Sequence, residues 1–373
     1  MVKLPRHLTG LLAARNTVRL PKFRTGEFKV FSYDPGTNTV VVEATADTVL
    51  AAPLSLRADR GRFHAALTPL IERRGLPDDQ VRRKIGRIFK GDADDLTEAW
   101  ISGWCAEEPS HFGIDFEEVE VSPVSTMTRP AWLVEPPNAR PGVWAIHIHG
   151  RTAARQETIR SMQACTAAGV SSLSISYRAE ADARVRSSDR SSTLGLTEAD
   201  DVLLAMNWLS LNKRATSFIL VGWSLGAVIA AEALRRSVPD GRVIGMIFDS
   251  AVVDIQATLR EQALAAVGDS RIADSAIAWM SGGGYRLTGL DKPLDVTQLG
   301  LASLDLASLP PSLFLHAEDD NYVPVEPVRA LVARSSGRFT LREFAAGGHV
   351  KSWNCQPKEW TGAIRDFLDE LLG

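Results

Sequence analysis

The stretch Phe218-Ile219-Leu220-Val221-Gly222-Trp223-Ser224-Leu225-Gly226, running on into Ala227-Val228-Ile229-Ala230-Ala231-Glu232-Ala233-Leu234, constrains this chain more than any other. Four apolar, largely branched residues read as a strand buried on both faces, and the Ala/Leu-rich run reads as a helix. Only Gly-Trp-Ser-Leu-Gly separates them, so the backbone must turn from strand into helix within about two residues. Such a turn strains the backbone at Ser224 and brings neighbouring backbones so close that only small residues fit at positions 222 and 226. The Ser224 hydroxyl then stands at the sheet edge. The Leu225 N–H lies at the positive end of the helix, where it can stabilise a negatively charged oxygen. A Gly/Ser turn between strand and helix needs no chemistry by itself, so support must come from elsewhere in the chain.

Around this stretch, strand and helix patterns alternate, the sign of a mostly parallel sheet flanked by helices. Residues 116–121 and 129–134 read as strands that open the sheet in antiparallel fashion. Val143 to Arg151 is a strand ending in His147-Ile148-His149-Gly150, followed by a helix through Ile159, Met162 and Cys165 and a strand over Ser171–Tyr177. A polar, Arg-rich loop over 179–192 precedes a helix opened by Gly195-Leu196-Thr197-Glu198, with Thr197 expected as its N-cap. After the central stretch come strands at 243–249, 312–316 and 339–344, a helix from Val325 to Arg334, and a closing helix striped with Trp360, Ile364, Phe367, Leu368 and Leu371. Between about 251 and 309 the alternation breaks into two helical pieces and a Ser281-Gly282-Gly283-Gly284 run. An insertion of that length after a core strand is expected to be a helical lid.

Residues 1–112 carry mixed signals and are expected to form an accessory region packed on a catalytic domain of residues 113–373. Thr39–Ala44 reads as a strand. Phe63–Ile71 and Gln80–Phe89 read as helices, the second from its apolar residues at 81, 85, 88 and 89.

A serine hydroxyl is a poor nucleophile unless a base takes its proton and a carboxylate holds that base. After the strand ending at His316 the sequence offers Ala317-Glu318-Asp319-Asp320, and after the last strand Gly347-Gly348-His349. Strand ends of one parallel sheet thus deliver Ser224, an acid and His349 to one edge, in the order Ser, Asp, His.

With these motifs the chain resembles the α/β-hydrolase superfamily over roughly residues 115–373. The family's acid loop, (His/Gly)-Gly-x-x-Asp-x-x-Val-Pro, matches His316-Ala317-Glu318-Asp319-Asp320-Asn321-Tyr322-Val323-Pro324 with Ala317 in place of the Gly. The resemblance implies Asp320 as the acid, with Asp319 and Asp249 as competitors. His149-Gly150-Arg151 matches the family's first oxyanion loop, which implies that the backbone N–H groups of Arg151 and Leu225 form the oxyanion hole. Gly195-Leu196-Thr197-Glu198 with Asp201, Asp249-Ser250-Ala251, and His349-Val350-Lys351-Ser352-Trp353-Asn354 look like an actinobacterial branch with an N-terminal extension.

Other readings are bounded by composition and spacing. The 373 residues, 45% hydrophobic and 23% charged, are ordinary globular usage. A formal charge of −3 and a pI near 6.2 argue against a nucleic-acid or anionic-membrane partner. No run of about eighteen apolar residues is present to span a bilayer. Leu8–Ala14 is too short for a signal peptide and is followed by Arg15, and Cys105, Cys165 and Cys355 are odd in number, so a reducing, cytoplasmic setting is expected. His147 and His149 share a strand face as metal ligands would, yet the further ligands are wanting, so no metal or other cofactor is expected. His316 reads as structural, Arg151 and Arg155 as a helix start, and Trp353 as a support for the His loop. Trp223, Trp279 and Met280 are the expected walls of a pocket for a small-molecule acyl substrate. The expected activity is serine hydrolysis of a carboxylic ester. Peptidase, thioesterase or acyltransferase chemistry, or a ligand-binding protein without catalysis, could use the same fold.

Overall fold

The structure is a computed structural model that describes residues 5–21, 24–121, 129–178, 191–237 and 241–373. Most of the Arg-rich loop expected over 179–192 lies outside the described residues.

Residues before 112 divide into two parts. Helix α1 (Arg6–Val18) is followed by six antiparallel strands: β1 (Phe28–Asp34), β2 (Thr39–Glu43), β3 (Leu54–Ala58), β4 (Phe63–Glu72), β5 (Gln80–Lys90) and β6 (Glu98–Ser102). They close into a barrel in the order β1-β2-β5-β4-β3-β6, with Val40, Val42, Leu54, Leu56, Phe63, Ala65, Val81 and Ile85 among its core. The two expected helices at 63–71 and 80–89 are therefore strands, the longest of the barrel. In β5 the buried residues alternate as Val81, Arg83 and Ile85. An arginine at the middle inward position hides the period of two. Arg83 is fully buried, and its guanidinium donates to the carbonyls of Thr48, Leu50, Ala52 and Thr68 at 2.8–3.1 Å. In β4, Phe63, His64 and Ala65 are buried in succession, so both faces are covered and no alternation shows.

The rest of the chain builds an eight-stranded sheet of β7 (Glu117–Glu120), β8 (Pro130–Val134), β9 (Val143–Ile148), β10 (Ser171–Ile175), β11 (Ser217–Trp223), β12 (Val243–Asp249), β13 (Ser312–Ala317) and β14 (Phe339–Phe344). Its order is β14-β13-β12-β11-β9-β10-β8-β7, parallel from β14 to β10 and antiparallel over β8 and β7. Helices α2 (Ile159–Ala167), α3 (Ala199–Lys213) and α4 (Gly226–Ser237) follow β9, β10 and β11. The excursion after β12 holds α5 (Ile255–Val267), α6 (Arg271–Ser281) and α7 (Tyr285–Thr288); α8 (Glu326–Ala333), α9 (Ser352–Cys355) and α10 (Pro357–Leu372) complete the chain. One face of the sheet packs on α3 and α4 through Val202, Met206, Leu220, Ile229 and Phe248; the other packs on α2 and α10 through Cys165, Ile219, Val221, Trp360 and Ile364. Thr197 does not cap α3. Its hydroxyl bonds Thr193, and the buried Glu198 carboxylate accepts the N–H groups of Thr193 and Gly195. Among the described residues no helix is long and apolar enough to cross a membrane.

This order fixes where a site can form. From β9 the chain steps outward to β10, then returns past β9 to β11, so the loops leaving β9 and β11 diverge at a topological switch and open a crevice at the carboxyl ends of the strands. A third cluster covers that edge: Ala14 and Val18 of α1, Ile255 of α5 and Ala276 and Met280 of α6 pack with Leu225 and Val323 from the loops after β11 and β13.

Candidate active site

The turn after β11 is as tight as its glycines require. A Cβ on Gly222 would lie 2.7 Å from the Gly226 carbonyl carbon, and one on Gly226 would fall on the Ile148 carbonyl of β9. Ser224 takes φ of 52°, a left-handed conformation costly for a residue with a side chain. It is held there by its own N–H, which donates to the Asp249 carbonyl (2.9 Å), and by its carbonyl, which accepts from Val252 (3.2 Å).

The strand ends bring Ser224, Asp320 and His349 together. The Ser224 hydroxyl lies 2.9 Å from His349 Nε2, and His349 Nδ1 lies 2.9 Å from Asp320 Oδ2. The other Asp320 oxygen accepts the N–H groups of Tyr322 and Val323, both at 2.9 Å. Burial works against the Asp320 charge, but His349 beside it, His316 and the backbone donors outweigh burial and hold the carboxyl well below the usual range. His349 therefore carries its proton on Nδ1 and leaves Nε2 free to accept the serine proton. Asp319 does a different job: its Oδ1 accepts the Gly348 N–H at 2.7 Å and pins the loop that carries His349. Asp249 stands apart, fully buried, accepting from Trp360 Nε1 at 2.6 Å. Its neighbour Ser250 accepts the Val350 N–H at 3.1 Å, a second tether on the His loop.

The N–H groups of Arg151 and Leu225 have no acceptor among the described residues. The Arg151 guanidinium donates to the carbonyls closing α1, Asn16 (2.6 Å) and Thr17 (3.1 Å). Arg155 lies over the Trp132 ring, 4.4 Å from its centroid, and within 3.7 Å of Glu118. The expected pocket walls fare differently. Trp223 is enclosed on the opposite side of the strand, stacked on Trp360 at 5.7 Å and donating to Ser161 Oγ, so it belongs to the core and not to a substrate wall. Trp223 continues the alternate face of β11 that carries Ile219 and Val221 towards Trp360, which is why the neighbour of Ser224 is turned into the core. Met280 is buried in the cluster that includes Leu225, and Trp279 donates from Nε1 to the His7 carbonyl of α1 (2.8 Å). Trp353 lies against Phe112 and Arg160, and Arg160 donates to the Val350 carbonyl at 3.0 Å.

His147 and His149 do not make a metal centre. His147 lies between Ser161 Oγ (2.9 Å) and Ser172 Oγ (3.0 Å), and burial pushes its pKa down to about 3. His149 donates from Nδ1 to the Gly150 carbonyl at 2.9 Å and stacks on Tyr177. Among the described residues no group of three or more His, Cys, Asp or Glu could hold a metal ion.

A second row of the same residue types was invisible in the sequence. Ser55 Oγ lies 2.6 Å from His64 Nε2, and His64 Nδ1 bonds Glu107, which also pairs with Arg57. Ser55 and His64 are 0% exposed, on the paired strands β3 and β4. Ser224 is 7% exposed, at a strained turn, and the His349 side chain 19%, and the Leu225 and Arg151 N–H groups have no acceptor among the described residues. Only the second arrangement can meet a carbonyl and stabilise its oxyanion; the first joins the barrel to the segment that leaves it.

No protein-family model and no curated protein matches the sequence. In three dimensions the chain is similar to an esterase of Pyrococcus furiosus (TM-score 0.53, 18% identity, 71% of this chain and 95% of that one) and to Est1E of Butyrivibrio proteoclasticus with ferulic acid bound (TM-score 0.50, 17% identity, 68% and 99%). The chain has the α/β-hydrolase fold, and the six-stranded barrel precedes the eight-stranded sheet in sequence.

Proposed function

We propose that this protein is a serine hydrolase that cleaves a carboxylic ester, or a related acyl bond, of a small-molecule substrate through an acyl-enzyme. The observation that carries the reading is His349, 2.9 Å from Ser224 Oγ on one side and 2.9 Å from Asp320 on the other, at the switch point of the sheet. In the proposed reaction Ser224 Oγ attacks the carbonyl carbon while its proton passes to His349 Nε2, and Asp320 stabilises the imidazolium. The Arg151 and Leu225 N–H groups receive the oxyanion. His349 then returns the proton to the departing alcohol, and water, activated by the same nitrogen, releases the acid and restores Ser224.

The α5–α7 excursion together with α1 is proposed as a lid, because oxyanion hydrogen bonds act most strongly where water is excluded. Met280 packs in the same cluster as Leu225 of the turn after β11, and α1 is tied to the excursion by Trp279 Nε1 on the His7 carbonyl and by Arg6 against Asp269.

The test is labelling with a fluorophosphonate, followed by turnover of p-nitrophenyl esters of increasing acyl length, methyl ferulate and aminoacyl amides. The ferulate is included because a protein of like fold holds ferulic acid. Label on Ser224, and a loss of turnover of about a million-fold in Ser224→Ala, are expected. A protein that takes no label at Ser224 and turns over no ester or amide overturns the reading.

A further inference from the structure

Glu157 is a buried carboxylate that the proposed mechanism leaves unused. It is 4% exposed, and its Oε2 accepts the Gly150 N–H at 2.6 Å while Oε1 accepts Trp104 Nε1 at 3.4 Å. Burying a carboxylate is costly unless its partners are fixed, so its place beside the oxyanion loop calls for a physical account. Gly150 lies against the nucleophile: a Cβ there would be 3.2 Å from Ser224 Cβ and 3.1 Å from Glu157 Oε2. The position therefore favours glycine, and glycine is the residue least able to hold its own backbone angles.

We propose that Glu157 and Tyr177 are positioning residues that clamp Gly150 from both sides and so aim the Arg151 N–H at the oxyanion. Glu157 fixes the peptide before Gly150 through its N–H. Tyr177 holds the peptide after it: its single O–H is shared between the Gly150 carbonyl (2.9 Å) and the His149 carbonyl (3.1 Å), and His149 Nδ1 donates to the Gly150 carbonyl at 2.9 Å. That second peptide is trans, so the Arg151 N–H points opposite to the Gly150 carbonyl. With both peptide planes held, the donor is in place before substrate arrives and costs no reorganisation during reaction. With Glu157 released, the peptide before the glycine can rotate; with the Tyr177 hydroxyl released, the Gly150 carbonyl keeps only His149 Nδ1 (2.9 Å) and the Ala153 N–H (3.3 Å), and the Arg151 N–H is aimed less tightly.

This inference rests on the serine-hydrolase reading, and the experiment separates the two. Steady-state kinetics on the best p-nitrophenyl ester are compared for wild type, Glu157→Ala, Glu157→Gln and Tyr177→Phe, together with binding of a trifluoromethyl ketone that forms a tetrahedral adduct with serine. Loss of one oxyanion donor costs about 10²–10³ in kcat, so Glu157→Ala and Tyr177→Phe are expected to lose about ten- to a hundredfold in kcat with KM changed by less than about threefold. Affinity for the ketone falls in the same proportion. Glu157→Gln, which keeps one acceptor oxygen for Gly150, recovers most of the rate. A purely structural role would move stability and leave the ketone's affinity relative to substrate unchanged. Should Glu157→Ala fail to fold, Tyr177→Phe, which removes a single oxygen atom, decides. Variants with wild-type kcat and ketone affinity overturn the clamp, as does a Gln variant as impaired as the Ala one. A wild type inert towards every ester overturns the hydrolase reading instead.

Discussion

Adjacent aspartates at 319 and 320 are chemically identical, and one step along the backbone assigns them different work. Asp320 faces the imidazole and Asp319 faces the Gly348 N–H. Asp320→Asn can set an amide donor against Nδ1 of His349, which favours the tautomer with its proton on Nε2, and kcat is expected to fall by about 10⁴. Asp319→Asn keeps its acceptor oxygen and is expected to cost less than about tenfold in the same assay. The resemblance of this loop to the α/β-hydrolase acid motif ranked the two, but the tether from Asp319 was not legible in the sequence, because a backbone donor leaves no mark on residue identity. Asp249 yields a prediction of opposite sign to that of an ordinary surface acid. Burial pushes its pKa up to about 6, above the usual value of 3.8, so the folded state binds the proton more tightly than the unfolded chain. The stability it contributes is full below about pH 4 and is lost as the pH rises through about 6. In denaturant unfolding, wild type should therefore lose ground to Asp249→Asn between about pH 4 and pH 7; a constant difference between the two proteins would show that Asp249 does not titrate in that window.

At the scale of elements, what the sequence disclosed followed from where apolar residues could be placed without interruption. Strands β9, β11, β12 and β13 are covered on both faces, so each is a short apolar run with turn residues at its ends, and the helices between them keep one stripe. The barrel broke this rule twice. Arg83 occupies an inward position of β5, and the outer face of β4 at His64 is buried beneath Glu107, so neither strand alternates in sequence as it does in space. Arg83 also makes the barrel's stability testable. Its guanidinium satisfies four carbonyls, and although burial lowers its pKa to about 10 it stays charged at neutral pH. Arg83→Met takes a donor from each of the four carbonyls, of which Leu50 keeps the Ala52 N–H at 2.8 Å, and is expected to destabilise the barrel by at least about 3 kcal/mol in denaturant unfolding. A loss below about 0.5 kcal/mol, the scale of an ordinary surface change, would mean that water replaces the guanidinium.

Across the whole molecule, α1 does not stay with the barrel that follows it. Gly10, Ala14 and Val18 form one stripe, and α1 lies so close to α6 that Ser275 occupies the place a Cβ on Gly10 would take. The proposed lid is thus made from two distant parts of the chain. Trp279→Arg or Met280→Gln is expected to shift acyl-length preference in the ester series while Ser224 still takes a small phosphonate; unchanged selectivity with unchanged stability would remove these helices from the substrate's path. The same contact bears on how the chain assembles. Trp279 and the His7 carbonyl it binds are separated by 272 positions. At ribosomal rates of about 5–20 residues per second, α1 waits roughly tens of seconds for its partner to be made, with its small-residue stripe uncovered, while the barrel next to it can already close. Docking of α1 therefore cannot precede the synthesis of α6, and if these helices form the proposed lid, the edge above Ser224 stays uncovered by α1 in any nascent chain that has not yet extended past α6.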